Sequence, residues 1–218
     1  MHRYSINTDD RHKIVYIILI ISTVTSLIVT NMFAGKLTQL NYALNESADI
    51  QYVLDLVSLY EIFPNIFGIP LIYKGLYFIF DKYAWRWKIV RQFLNVADLN
   101  GKWKGTLSSS YNGGTLIDMT LEITQTWTHI KCISHFDKSD SESTITAVYS
   151  DDSDNCTLYF AYINKSKDIC SGMQMYGGFN ELRLNENKLV GSYFNNRPNL
   201  LSNGSIGNSG TIELTRIE

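Results

Sequence analysis

The chain has 218 residues, in which 19 Lys and Arg nearly balance 21 Asp and Glu. From Asp98 onward, ten basic residues stand against fourteen acidic ones, and this net charge of −4 argues against a surface for duplex DNA or long RNA and against contact with anionic lipid. Three cysteines, Cys132, Cys156 and Cys170, show no CxxC or Cys/His spacing, which fits neither a disulfide framework nor a zinc site.

The first apolar segment is 14–33, and it contains no charged residue. Twenty residues at helical rise cover about 30 Å, the hydrocarbon thickness of a bilayer. A cleaved signal peptide is the competing interpretation, because Arg11, His12 and Lys13 resemble its basic start. The apolar run is too long for that, and no clean small-x-small cleavage site follows. We therefore predict an N-terminal tail at 1–13 and a transmembrane helix at 14–33.

A second span is predicted at 62–80, after a connecting loop at 34–61. Pro64, Pro70 and Lys74 interrupt it, but membrane helices tolerate proline, and the Lys74 stem can reach toward the interface. The residues that follow mix tryptophan and tyrosine with cations, which indicates an interfacial linker at 81–99.

The distribution of basic residues predicts the orientation of both spans. Three cations precede the first span, four follow the second, and the loop contains one cation against four acidic residues. The positive-inside rule then places both termini in the cytoplasm and the loop outside. We therefore expect a multi-pass membrane protein, and the family resemblance described below implies that its membrane is a bacterial inner membrane.

Ser22, Ser26 and Thr30 are spaced by four residues, so they share one face of the first helix. Small polar residues at this spacing allow two membrane helices to approach closely and to form hydrogen bonds. The partner helix can be the second span of the same chain or a helix of another copy.

The remainder, 100–218, changes to a two-residue period. Short alternating segments are predicted as strands at 102–109, 115–124, 127–136, 143–150, 156–164, 178–184, 188–194 and 210–217. Eight short strands without a helical segment predict an antiparallel up-and-down β-barrel of the lipocalin-like, minimal kind, with a two-sheet sandwich as the alternative. A barrel of this size is filled by side chains or holds one small ligand.

No catalytic motif is present, so we expect neither catalytic residues nor a cofactor or metal. The candidate ligand site is the segment from Tyr193 to Arg197. Arg197 can bind a phosphate through two hydrogen bonds, while Asn195 and Asn196 can read the edge of a base. Aromatic residues such as Tyr111 and Trp127 could stack on bases, although strand propensity also explains them.

The order of these segments resembles that of a known family. Two N-terminal spans, a basic aromatic junction, Gly101-x-Trp103-x-Gly105 and Gly191-x-Tyr193 through Arg197 are similar to the membrane effectors of CBASS, the bacterial cyclic-oligonucleotide antiphage systems. The similar members are CD-NTase-associated proteins with two transmembrane helices and a minimal β-barrel.

The resemblance implies a function as well as a fold. A cyclic-nucleotide synthase would make a cyclic dinucleotide, the barrel would bind it, and the protein would then self-assemble and disrupt the inner membrane lipid, killing the infected cell. Ser22, Ser26, Thr30 and Lys74 would serve membrane assembly. Two alternatives remain: a membrane-tethered carrier of a lipid or other apolar ligand, and a structural assembly protein with a filled barrel.

Overall fold

The computed structural model describes residues 1–7, 11–44, 68–111, 114–150, 154–168, 175–198 and 206–217. The chain forms two compact units. One is helical and extends from Asp10 to Lys82, and the other combines Met1–Asp9 with Tyr83–Glu218. The N-terminal residues thus belong to the unit that contains the β domain.

The helical unit contains α1 (Arg11–Leu44) and α2 (Ile69–Lys82). Within α1, the 22 residues Arg11–Met32 are long and apolar enough to cross a membrane, and their most apolar 18-residue stretch has a mean hydropathy of 2.2. Helix α2 is 14 residues long, and the first part of the predicted second span, 62–67, lies outside the described residues. The described part of the chain therefore supplies one helix of spanning length.

The predicted small-residue face of α1 is buried inside this unit. Ser22 and Ser26 are fully buried and Thr30 is partly so. The Ser22 hydroxyl donates to the Leu19 carbonyl, 2.8 Å away, and Ser26 Oγ lies 3.3 Å from where a Cβ on Gly68 would stand. Serine and glycine thus allow α1 to approach the residue before α2 closely. Of the two partners considered for this face, this contact is the one within the same chain.

Other faces of these helices expose large apolar side chains. On α1, Ile20, Ile28 and Met32 are each more than half exposed, as is Leu71 on α2. Lys74 is also exposed. Apolar exposure on this scale is unusual for a helix in water and fits a helix in contact with lipid.

A short connector leads from α2 into the β domain. It consists of a 3₁₀ turn at Ala84–Arg86 and helix α3 (Lys88–Leu94), which ends where Asn95 adopts a left-handed conformation, φ 50°. Trp85 and Leu94 are buried, whereas Trp87, Ile89 and Phe93 are exposed. The connector therefore presents an apolar surface beside the cations Arg86 and Lys88.

The β domain is a closed, eight-stranded antiparallel barrel, which confirms the predicted fold. Its strands are β3 (Gly101–Ser109), β4 (Thr115–Gln125), β5 (His129–His135), β6 (Ser139–Ser150), β7 (Cys156–Ser166), β8 (Tyr176–Asn185), β9 (Lys188–Pro198) and β10 (Ile206–Arg216). Each strand pairs with the next along the chain, and β10 pairs with β3 to close the sheet. This closure is incompatible with the sandwich alternative.

Two features of the sheet differ from the sequence prediction. Two short N-terminal strands, β1 (His2–Arg3) and β2 (Ser5–Ile6), add to the sheet beside β5 and β6. In addition, β6 begins at Ser139 and β9 continues to Pro198, where the sequence indicated turns. Polar side chains at these positions face the barrel interior, so the apolar pattern that marks a strand is missing there.

The barrel core is anchored by Trp103 on β3, which is fully buried. Its indole Nε1 donates to the Leu99 carbonyl at 3.1 Å, and the Arg216 guanidinium lies 4.3 Å from the ring centroid. The predicted structural role of the Gly-x-Trp start is thus visible as a plug that joins the first and last barrel strands.

Gly105 is required where β3 passes β10, because a Cβ there would lie 2.0 Å from the Glu213 carbonyl oxygen. We expect Gly105→Ala to destabilise the barrel by about 2 kcal/mol or more, since the clash is with backbone. Thermal unfolding of the full chain in detergent measures the effect. Thr106→Ala, an exposed neighbour on β3, is the control. Equal melting temperatures for the two variants would contradict the prediction.

Candidate ligand-binding site

A cavity of about 310 Å³ opens at the end of the barrel opposite to Trp103. It is enclosed by the ends of seven strands and by the turn between β5 and β6. Its lining residues are Leu107, Ser109, Tyr111, Ile117, Phe136, Asp137, Lys138, Ser139, Ser141, Tyr162, Tyr176, Tyr193, Asn195, Arg197 and Asn208. Aromatic rings, hydroxyls, amides and two cations thus surround one small space.

Strand β9 contributes three of these side chains by simple alternation. Tyr193, Asn195 and Arg197 are two residues apart, so all three point into the barrel. Asn196 lies between them and is exposed, and its side-chain oxygen accepts from the Gly177 amide at 2.9 Å. The structure therefore places Asn195, but not Asn196, in the lining of this cavity, because a strand directs only one of two neighbouring side chains inward.

Arg197 lies among aromatic rings. Its guanidinium carbon is 4.2 Å from the Tyr111 ring centroid and 5.6 Å from that of Tyr176. Contact with these rings and a hydrogen bond to Tyr176 orient the planar guanidinium, whose other N–H groups can meet an anion. The cavity therefore contains a cation that is oriented before any ligand arrives.

Burial keeps three of the lining phenols protonated. It raises the pKa of Tyr162 above its ordinary value, with a further rise from nearby Tyr176. Burial likewise raises the pKa of Tyr176, against the opposing charge of Arg197, and that of Tyr193, against its hydrogen bond with Ser109. The Tyr193 hydroxyl donates to Ser109 Oγ at 2.7 Å. These phenols remain neutral groups that can donate and accept hydrogen bonds.

Two further strands add hydrogen-bonding groups. On β10, the Asn208 amide nitrogen donates to the Arg197 carbonyl at 3.1 Å, while its buried side-chain oxygen meets no donor among the described residues. On β6, Ser139 and Ser141 accept from the Asn164 amide at 3.1 and 2.8 Å. An acceptor without a protein donor, in the lining of a cavity, is available to a ligand or to water.

The structure brings together four of the six predicted ligand residues: Tyr111, Tyr193, Asn195 and Arg197. Trp127 lies elsewhere, because it occupies the turn after β4, at the end of the barrel opposite to the cavity, and is fully buried. Its size and burial indicate core packing. Sequence reasoning assigned Lys138 to a turn and did not identify the inward serines. The alternation Ser139-x-Ser141-x-Ser143 was the signal that could have found them.

The described residues contain no group of three His, Cys, Asp or Glu side chains that could hold a metal ion. Cys132 is fully buried, and burial raises the pKa of its thiol to about 12. A thiol in that state is a poor nucleophile and a poor metal ligand.

Comparison with known proteins gives one consistent result. The family described as Cap15, cyclic dinucleotide receptor domain, matches residues 94–216. A CD-NTase-associated protein 15 from Yersinia aleksiciae is 30% identical over 149 residues, which cover 67% of this chain and 68% of that protein. Proteins of the same name from Escherichia albertii (30% over 155 residues, 65% and 74%) and Staphylococcus schleiferi (28% over 116 residues, 53% and 63%) are also similar.

A closed up-and-down barrel with a polar, aromatic cavity at one end has the form of a small-ligand receptor domain. The matched segment begins at the last residue of α3 and ends at the last residue of β10, so it contains the whole barrel. The chain belongs to the Cap15 cyclic dinucleotide receptor family, and its resemblance to CBASS effectors is confirmed.

The buried phenols predict how stability depends on alkaline pH. The ordinary tyrosine pKa is 10.0, and the folded-state values of Tyr162, Tyr176 and Tyr193 are higher. As pH rises above about 10, the unfolded chain loses these protons before the folded one does, so stability is intact below that pH and falls above it. Tyr162→Phe should reduce this fall.

Denaturant unfolding of the full chain in detergent, at intervals from pH 8 to 11.5, measures the slope. Tyr149→Phe is the matched control, because that phenol is 54% exposed. The interpretation of the buried phenols would be wrong if the Tyr162 and Tyr149 variants lost stability along the same curve as the parent chain.

Proposed function

We propose that this protein is an antiphage effector whose barrel binds a cyclic dinucleotide in the cavity lined by Tyr111 and Arg197. The observation that supports it most directly is the position of Arg197, a cation stacked among tyrosines in the cavity of a cyclic dinucleotide receptor barrel. The messenger would come from a CD-NTase, the enzyme class named in the relatives.

The lining matches the chemistry of such a ligand. A cyclic dinucleotide has two anionic phosphates and two bases with flat faces and polar edges. Arg197 and Lys138 are the two cations of the lining, and each can meet a phosphate. The rings of Tyr111 and Tyr176 offer stacking surfaces, and the free side-chain oxygen of Asn208 can accept from a base edge.

The cavity also separates this proposal from the two alternatives. A carrier of apolar molecules should have a large apolar cavity without a cation near its mouth, and a filled barrel should have no cavity. This barrel has a cavity of modest size with Arg197 and Lys138 in its lining. An anionic ligand with aromatic parts fits this lining better than a lipid tail does.

The helical unit would perform the output step. Assembly of several copies would bring membrane helices together, and the Ser22, Ser26 and Thr30 face is suited to close contact. That face is already used within one chain, against Gly68. Assembly between copies would therefore require the two helices to rearrange, and Pro70 and Lys74 make α2 less suited to be a rigid anchor.

The N-terminal strands support a membrane path with two crossings. Because β1 and β2 are part of the barrel sheet, residues 2–6 and the barrel must lie on the same side of the membrane. A chain that crosses the membrane in α1 must then cross back before α3. The segment that ends in α2 is the candidate for this return, and the exposed Trp87, Ile89 and Phe93 after it are suited to the interface.

Replacing Arg197 by alanine should abolish most of the ligand affinity. A charged hydrogen bond contributes roughly 1.5–3 kcal/mol, so we expect affinity to fall by about tenfold to a hundredfold. The measurement is calorimetric titration of the full chain in detergent with a panel of cyclic dinucleotides. Arg183→Ala, which removes an exposed arginine from β8, should leave affinity unchanged. Binding that survives Arg197→Ala undiminished would move the phosphate site elsewhere, and no binding to any member would contradict the receptor role.

The two-crossing path predicts which residues can be labelled from outside an intact cell. In a chain freed of its native cysteines, Ser47→Cys, in the segment outside the described residues, should react with a membrane-impermeant maleimide added to cells whose outer membrane is permeabilised. Thr106→Cys, exposed on β3, should react only after the inner membrane is lysed. Equal labelling of the two positions would contradict this topology.

A further inference from the structure

The barrel has one weak seam, between β5 and β6. These strands pair directly only from Ile133 and Glu142 to His135 and Asp140, next to their connecting turn. Between Ser143 and Ile145 the register of β6 shifts by a bulge. Beyond that bulge the two strands separate, so each would present an unpaired backbone edge inside an otherwise closed sheet.

The N-terminal residues fill this seam. His2 and Arg3 pair antiparallel with Ile130 and His129 of β5, and Ser5 and Ile6 pair parallel with Ala147 and Val148 of β6. One short segment thus pairs with both separated strands. We call residues 2–7 the N-terminal clasp.

Side chains fix the clasp to the barrel at three points. Tyr4 is 3% exposed, and its hydroxyl accepts from the Gln125 amide at 3.1 Å. His2 Nε2 lies 2.9 Å from Ser143 Oγ. The Asn7 amide donates to the Ser150 carbonyl at 3.0 Å and accepts from the Ser150 N–H at 2.9 Å. Burial and paired hydrogen bonds of this kind are unlike a fraying chain terminus.

The clasp also adjoins the cavity. Ser139 and Ser141 line the cavity, and Ser143 is the next inward residue of β6. Ser143 Oγ accepts from the Cys132 amide on β5 as well as contacting His2, so it lies where the strands separate. The β5–β6 turn presents Lys138 to the cavity. A movement of this turn would therefore be transmitted along β6, through Ser141 and Ser143, to the clasp.

The position of the clasp in the chain gives it a mechanical consequence. Four residues after Asn7, helix α1 begins at Arg11, and α2 leads through the connector into β3. Both ends of the helical segment are thus attached to one barrel. The attachment after α2 is a continuous covalent chain, whereas the clasp is held by hydrogen bonds and packing. The clasp is the attachment that can open.

We infer that the N-terminal clasp is a releasable restraint: while docked in the seam it tethers the chain that leads into α1, and it must leave the seam before the helices rearrange. This inference rests on the proposed function for its trigger, since ligand at Lys138 and Ser141 would weaken the seam. The docking of the clasp, and its effect on the helices, require no ligand.

Ligand-free experiments on the full chain in lipid vesicles test the restraint. Hydrogen exchange should show protected amides in residues 2–6, and the double variant His2→Ala/Tyr4→Ala should lose that protection. The double variant should also raise ligand-free dye release from the vesicles by about tenfold or more, because two anchoring contacts are lost. Ser5→Ala, which removes an exposed hydroxyl from the same segment, should leave both quantities unchanged.

A locked variant gives the opposite test. Ser5 and Ala147 are direct neighbours in the parallel pairing, so Ser5→Cys/Ala147→Cys can bridge the clasp to β6. Oxidised, this variant should bind the cyclic dinucleotide selected by calorimetry more weakly than the parent chain, because a ligand that opens the clasp loses affinity when the clasp cannot open. At saturating ligand it should release at least about tenfold less dye, and reductant should restore release.

Three results would overturn the restraint: fast exchange of residues 2–6 in the parent chain, unchanged or lower ligand-free release from the double variant, or full release from the oxidised variant. If the parent chain binds no cyclic dinucleotide, the proposed function fails. The ligand-free protection and release would then still support or overturn the clasp.

Discussion

The barrel depends on one constraint: each of its eight strands pairs with a neighbour on both edges, β5 and β6 with each other only in part, so register fixes which residue faces inward. The pairing of β3 with β10 joins residues more than 100 positions apart in sequence, and it leaves no strand free to slip. A one-residue shift would exchange the whole inward set of Trp103, Leu121 and Leu214 for polar residues. The same constraint directs Tyr193, Asn195 and Arg197 into the cavity, because they continue the inward phase of β9.

One end of the barrel provides most of the core packing, and the other end contains the candidate binding site. The same strands contribute to both ends. Near the start of β3, inward positions are large and apolar, and Trp103 with Arg216 ties the first strand to the last. Near the end of β3, the inward positions become serine, tyrosine and asparagine. Along each strand, the inward residues therefore belong first to the apolar core and then to the candidate site. Substitutions at the core end should affect mainly stability, and substitutions at the cavity end should affect mainly ligand binding.

The sequence contained most of the fold, because the evidence for a half-buried strand is local alternation. The strand prediction failed where the inward residues are polar. It assigned Ser139 and Ser141 to a turn, and it assigned Asn195 and Arg197 to a loop. These are the residues of the cavity, so the errors of the strand prediction coincide with the candidate site. Trp127 was the reverse error, since aromatic identity alone does not distinguish a core ring from an exposed stacking surface. The N-terminal strands were missed because two-residue strands have no period to detect.

As the proposed restraint, the clasp would give a physical reason why the barrel domain is connected to both ends of one helical segment. A single covalent attachment after α2 would leave α1 free to change its packing at any time. A second, noncovalent attachment before α1 would allow the barrel to maintain the resting state while the clasp is docked. The same barrel would end that state when the clasp leaves. Its strength must lie in a narrow range, since a clasp weaker than thermal fluctuations would not restrain α1 and one as strong as the barrel core would not open. Two residues of pairing on each edge and one buried tyrosine provide such an intermediate attachment.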